Sequence, residues 1–184
     1  MAFERITPQY IIKAHLDTIR NKDTNKLYCS DIFLLFILPL IISVILIDFN
    51  ILIEKEMSET LLTILAISTP LLFSALILLF DMALNILDKK LIDKDVKLHV
   101  INDTLDNISF IIFLSVIIII ILGVYLLLWN NLHINSDNIG DYKFLIQVFT
   151  FFTYSLIGMF LLNFLMILKK SHILIGSFFP HNND

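Results

Sequence analysis

Two uncharged runs flanking a charged one constrain this chain more than any other feature. Thr60 to Phe80 is 21 residues without a charge, Asp81 to Asn107 is 27 residues of mixed character, and Ile108 to Trp129 is again uncharged. A helix crosses a hydrocarbon core of about 30 Å with roughly 20 apolar residues. The pair therefore reads as two membrane-crossing helices joined by a polar helical hairpin outside the bilayer. Two further segments are apolar over a similar length, Ile32–Ile53 before the pair and Phe144–Leu168 after it. Apolar residues make up 58% of the chain and charged residues 16%, so little is left for a separate soluble domain. The expected fold is all-α: a polytopic membrane protein with four transmembrane helices and a cytoplasmic helical hairpin between the second and third. Residues 1–30 are expected to form a cytoplasmic amphipathic helix and turn. Residues 31–168 form the four-helix part, including the arm 81–107, and 169–184 a cytoplasmic tail.

Orientation follows from Lys and Arg. Eleven lie in the N-terminal tail, the hairpin and the C-terminal tail, and two, Lys55 and Lys143, lie in the other loops. The positive-inside rule then places both termini and the hairpin in the cytoplasm. The cytoplasmic segments also carry eleven Asp or Glu, so the net charge of −4 falls on the outer side. Direct nucleic-acid binding, which needs a basic surplus, is not expected. The first apolar run starts only at Ile32, so a secretory signal peptide is not expected either. The single cysteine, Cys29, reads as a plain juxtamembrane thiol.

Along the chain, Thr7-Pro8 marks a helix start. Ile12, Leu16 and Ile19 then recur at helical spacing, and this helix is expected to pack on the hairpin rather than lie on lipid. Asp31 suits the start of the first span, and Pro39 should kink it. Ser68 and Thr69 beside Pro70, near the middle of the second span, are expected to satisfy backbone groups that the proline frees. In the hairpin, Ala83, Leu84, Leu87 and Leu91 form one stripe and Leu98, Ile101, Leu105 and Ile108 another, around a turn at Asp93-Lys94-Asp95. Each leg of about 13 residues reaches roughly 20 Å beyond the bilayer. Its polar face offers Asp88, Asp93, Asp95 and Asp103 beside Lys90, Lys94 and Lys97, a mixed pattern suited to a protein partner.

The fourth span is the polar one. Gln147, Thr150 and Tyr154 share a helical face and are expected to meet other helices, an oligomer partner or a pore. Lys169 and Lys170 close the span, leaving an apolar tail too short to cross. Asp48, Glu54, Glu56 and Glu59 lie at the outer side, facing headgroups and water or lining an acidic mouth. The five histidines are scattered, with none at metal-site spacing. Nucleophile-elbow, phosphate-loop and HExxH patterns do not occur. No catalytic, metal or cofactor-binding residue is expected, and enzymatic activity is not.

The stretches Leu35 to Ile42 (LFILPLII), Ser74 to Asp81 (SALILLFD) and Leu105 to Phe110 (LDNISF), with the four-span plan, resemble small bacterial membrane proteins found with anti-phage defence. The membrane subunits of Kiwa defence systems are the nearest such family. That resemblance implies a bacterial inner-membrane homo-oligomer, surrounded by lipid, that senses envelope disturbance and holds a cytosolic, possibly DNA-binding, protein partner. Two functions are therefore expected as alternatives. One is a sensor and scaffold acting through the arm. The other is an oligomeric ion channel or pore-forming effector built on the fourth span and the acidic mouth.

Overall fold

The computed structural model describes residues 8–19, 29–87, 94–132 and 140–178, with the backbone alone for 29 and 173–178. All regular structure among the described residues is helical. Helix α1 is Pro8–Thr18 and α2 is Cys29–Ile32. A π-helical turn, Phe33–Ile37, leads into α3 (Leu38–Asp48), and α4 (Lys55–Leu87), α5 (Lys94–Asn131) and α6 (Lys143–Phe178) follow. Four stretches are long and apolar enough to cross a membrane: Ser30–Asp48, Lys55–Leu87, Lys94–Asn131 and Lys143–His172.

Apolar runs and helix ends part company in three places. The first run continues to Ile53, but α3 stops at Asp48. Asn50 takes a left-handed backbone with φ 59°. The Asn50 N–H donates to the Ile47 carbonyl and the Ile51 N–H to the Leu46 carbonyl, at 2.8 and 2.9 Å. This is a Schellman ending with Asn in the position usually held by Gly. At the other end of the chain, α6 runs through Lys169 and Lys170 to Phe178. Lysine is a good helix former, so the pair ends the apolar run without ending the helix. Third, Lys94 and Asp95 lie in the first turn of α5, not in a turn between helices; Asp93 lies outside the described residues. Asp31 likewise sits inside the first turn of α2, where its charge suits the helix dipole.

Pro39 acts on the helix by widening it. Its ring would crowd the carbonyl four residues back, and it has no N–H to give. The five-residue π turn sits directly before it, and the Leu38 N–H donates to the Phe33 carbonyl, five residues back.

The described residues fall into two compact units. One comprises Cys29–Pro70 and Leu114–Leu162. Here α3 meets α6 through small groups. Ser43 and Ser155, both buried, bring their hydroxyls to 2.8 Å. A Cβ on Gly158 would sit 2.8 Å from the Pro39 Cβ. Between α4 and α5, Thr69 Oγ1 donates to the Leu65 carbonyl at 2.7 Å and meets Ser115 Oγ at 3.0 Å. Ser68 bonds the Ile64 carbonyl in the same way. Pro70 has no N–H for the Ala66 carbonyl four residues back, and neither hydroxyl bonds that carbonyl: both bond the carbonyl four residues before their own, and Thr69 adds a helix contact. Where helices are apolar all round, close approach at small residues and hydroxyl pairs sets which faces meet.

The other unit contains α1, the stretch Leu71–Phe113 and α6 from Asn163. The end of α4 and the start of α5 bury Ala83, Ile86 and Ile101 against Leu79, Met82, Leu98, Val100 and Leu105. The α5 stripe is the one its periodicity predicts. The α4 stripe is rotated: Leu84 and Leu87 are exposed, while Met82 and Ile86 face in. Leu91 lies outside the described residues.

We expect Gly158→Ala to cost about 1–3 kcal/mol by overpacking against a proline ring that cannot turn aside. Gly123→Ala, whose added Cβ meets nothing within 4 Å, should be neutral or stabilise by up to about 1 kcal/mol through helix preference. Thermal unfolding of both variants in detergent checks this, and equal shifts would contradict the close approach at Pro39.

Candidate functional site

Between α3 and α4 the chain leaves helical geometry for a few residues while staying packed. Phe49 is exposed, yet Ile53 is 1% exposed. A peptide group buried without a partner costs on the order of 1–3 kcal/mol. Both polar groups of Ile53 are bonded by side chains from other helices. Its N–H donates to Thr150 Oγ1 of α6 at 3.1 Å, and its carbonyl accepts from the Tyr125 hydroxyl of α5 at 2.7 Å. The Tyr125 ring is held by Trp129 and Phe149, at centroid distances of 5.6 and 5.3 Å. Beside this clamp is a cleft of ≈ 300 Å³ lined by Asn50, Leu52, Ile53, Glu54, Trp129, Gly140, Lys143 and Ile146.

The polar face of the fourth span is therefore divided in use. Thr150 is fully buried and holds the Ile53 backbone. The Tyr154 hydroxyl reaches Met57 Sδ at 3.6 Å. Gln147 is half-buried. Asp48, Glu54, Glu56 and Glu59 are all exposed, and of these Glu54 alone lines the cleft. Glu59 lies 3.9 Å from Lys55 in an exposed i, i+4 pair, a contact of little energetic weight. Among the described residues no three His, Cys, Asp or Glu side chains come together as a metal site would require.

Of the proposed docking residues, Asp88, Lys90 and Asp93 lie outside the described residues. The Lys94 ammonium donates to the Leu87 carbonyl. Asp95 is exposed and Lys97 half-buried. Asp103 is 3.1 Å from His99 one turn away.

A second polar centre escapes the sequence reading. His15 is fully buried, and its ring stacks on Phe110 at 4.0 Å with the planes 1° apart. With the proton on Nδ1, it donates to Asn107 Oδ1 at 2.8 Å, and the Thr18 hydroxyl reaches the same oxygen at 2.8 Å. Helix α1 thus meets α5 through His15 and Thr18, with Ile19 buried just beyond its end and Ile12 exposed. The signal is present in the spacing Ile11-x3-His15-x3-Ile19, in which a histidine occupies the centre of an apolar stripe. Burial holds the imidazole down at about 4 from its ordinary 6.5; the Asn107 bond opposes this, and the charge of Lys170 adds to it.

No protein-family model, curated protein or solved structure matches this chain.

Because the docked imidazole is neutral and the free one protonates near 6.5, acid favours undocking. The stabilisation is complete above pH 6.5 and falls progressively towards pH 4, by on the order of 3 kcal/mol in total. We expect amide exchange in Pro8–Thr18 to speed up over that window, and His15→Leu to remove the dependence. At the other centre, Thr150→Val and Tyr125→Phe each strand one Ile53 backbone group and should cost about 1–3 kcal/mol, read as lost thermal stability in detergent.

Proposed function

We propose that this protein is a multi-pass inner-membrane sensor and scaffold of a bacterial anti-phage defence complex, built as a homo-oligomer, that holds a cytosolic protein through the hairpin between α4 and α5. The observation that carries the reading is the way the hairpin packs. Its legs bury Ala83, Ile86 and Ile101 between them, so the two described legs hold each other without a partner, and Asp95 stays exposed at the start of α5. Each leg also continues a helix long enough to cross a membrane, 33 residues in α4 and 38 in α5. A shift of either span would move the hairpin with it, a route by which a membrane event reaches a soluble protein. The likeness to Kiwa-type membrane subunits supports the defence setting, and the eleven-to-two distribution of basic residues supports cytoplasmic placement of the hairpin.

The pore reading draws less support. Thr150, at the centre of the polar face it would use, is committed to the Ile53 backbone. Of the acidic residues it would use, Glu54 alone lines the cleft beside Ile53.

Reporter fusions at Asn135 and at Asp184 should sit on opposite sides of the membrane; the same side for both would refute the four-span topology. Reversing Asp88, Lys90, Asp93 and Asp95 together should abolish co-purification of the cytosolic protein with the tagged chain while leaving insertion and oligomer size unchanged. Full retention of that protein would remove the docking role from the hairpin, and ion conduction by the purified oligomer alone would favour the pore.

A further inference from the structure

The cleft beside the Ile53 clamp combines features that the scaffold reading does not use. Its floor is rigid: Ile53 and Ile146 are buried, and both backbone groups of Ile53 are held by side chains. Its wall is amphipathic, with Trp129 and Leu52 partly exposed beside the polar Asn50. Its two charges are of opposite sign, Glu54 and Lys143. Both are exposed, and neither carries an ion pair among the described residues. The cleft lies where α5 is ending, α6 is starting and α3 passes to α4. If these helices cross a bilayer, that is headgroup depth, the level at which tryptophan concentrates.

We propose that this cleft binds the headgroup of a zwitterionic aminophospholipid of the phosphatidylethanolamine class. Lys143 takes the phosphate and Glu54 the primary ammonium, while Trp129 and Leu52 cover the glycerol and the first acyl carbons. A volume of ≈ 300 Å³ falls at the lower end of small-ligand sites, which suits a headgroup rather than a whole lipid. The two charges discriminate. Phosphatidylglycerol brings an anion with no cation for Glu54, so the carboxylate repels it. Phosphatidylcholine brings a cation with no N–H to donate, so Glu54 gains no hydrogen bond from it. The inference rests on the membrane reading alone and is independent of partner docking, so failure of the lipid test leaves the fusion and co-purification results standing.

The test is lipid titration of the purified full chain in detergent, followed by native mass spectrometry, with dioleoyl phosphatidylethanolamine, phosphatidylcholine and phosphatidylglycerol in separate arms. We expect the ethanolamine lipid to bind about threefold tighter than the other two, the size of one partly exposed charge contact. Glu54→Gln should erase that margin and bring phosphatidylglycerol level or ahead. Lys143→Gln should weaken both phosphatidylethanolamine and phosphatidylglycerol. Lys55→Gln, which alters a neighbouring lysine outside the cleft, should change none of these ratios. Equal affinity of the unaltered chain for the three lipids overturns the proposal without recourse to any variant. So does a margin that survives Glu54→Gln, or displacement of the lipid by soluble glycerophosphoethanolamine at equal concentration, which would make the ligand a free zwitterion.

Discussion

A peptide group that leaves its helix in apolar surroundings has to be hydrogen-bonded by something else, and the described structure is arranged around one such group. Helix α3 ends at Asp48 because Asn50 turns left-handed and its neighbours close the last carbonyls. The chain then passes through Ile51–Glu54 before α4 begins at Lys55. Ile53 is buried in that passage, out of reach of water. Thr150 supplies the missing acceptor and Tyr125 the missing donor, and in doing so they fix where α5 and α6 stand relative to the end of α3. A shift of α6 by one residue would carry the threonine hydroxyl about 100° around the helix and leave the Ile53 N–H without a partner.

Polar pairing recurs at other helix contacts. Ser43 faces Ser155, and Thr69 faces Ser115. Gly158 admits the Pro39 ring, whose demand on its own helix is absorbed by the π turn before it. Helices apolar all round have no stripe that singles out one face, so these small and hydroxylated residues mark the faces that touch. The junction of α1 with α5 follows the rule with a histidine. A neutral imidazole, stacked on Phe110 and bonded to Asn107, fills a position that an isoleucine would fill in a plain amphipathic helix. The price is sensitivity to protons, because the charged form would be desolvated there.

The hairpin differs in kind. Its legs meet through Ala83, Ile86 and Ile101, an ordinary apolar core of alanine and isoleucine. Here apolar packing, rather than a hydroxyl pair, brings the two helices together.

The number of helices long and apolar enough to cross a membrane, their order and the all-helical class were determined by the sequence itself. Each rests on local hydropathy over about 20 residues, which a bilayer reads along one dimension. The α5 stripe of Leu98, Ile101 and Leu105 was legible for the same reason: polar residues between its members mark a face. Other features were decided only by tertiary structure. In a helix apolar all round, no stripe reveals which side will meet a neighbour, so the Pro39–Gly158 contact and the exposure of Leu84 and Leu87 could not be read off. Thr150 stood out as polar, but its partner is a backbone group 97 positions away, and no local spacing encodes that. His15 passed for one of five scattered histidines, because a buried imidazole is recognised by Asn107 and Phe110 across from it. Hydropathy is a property of the segment, whereas hydrogen-bond satisfaction is a property of the pair, and only the folded chain brings the pair together.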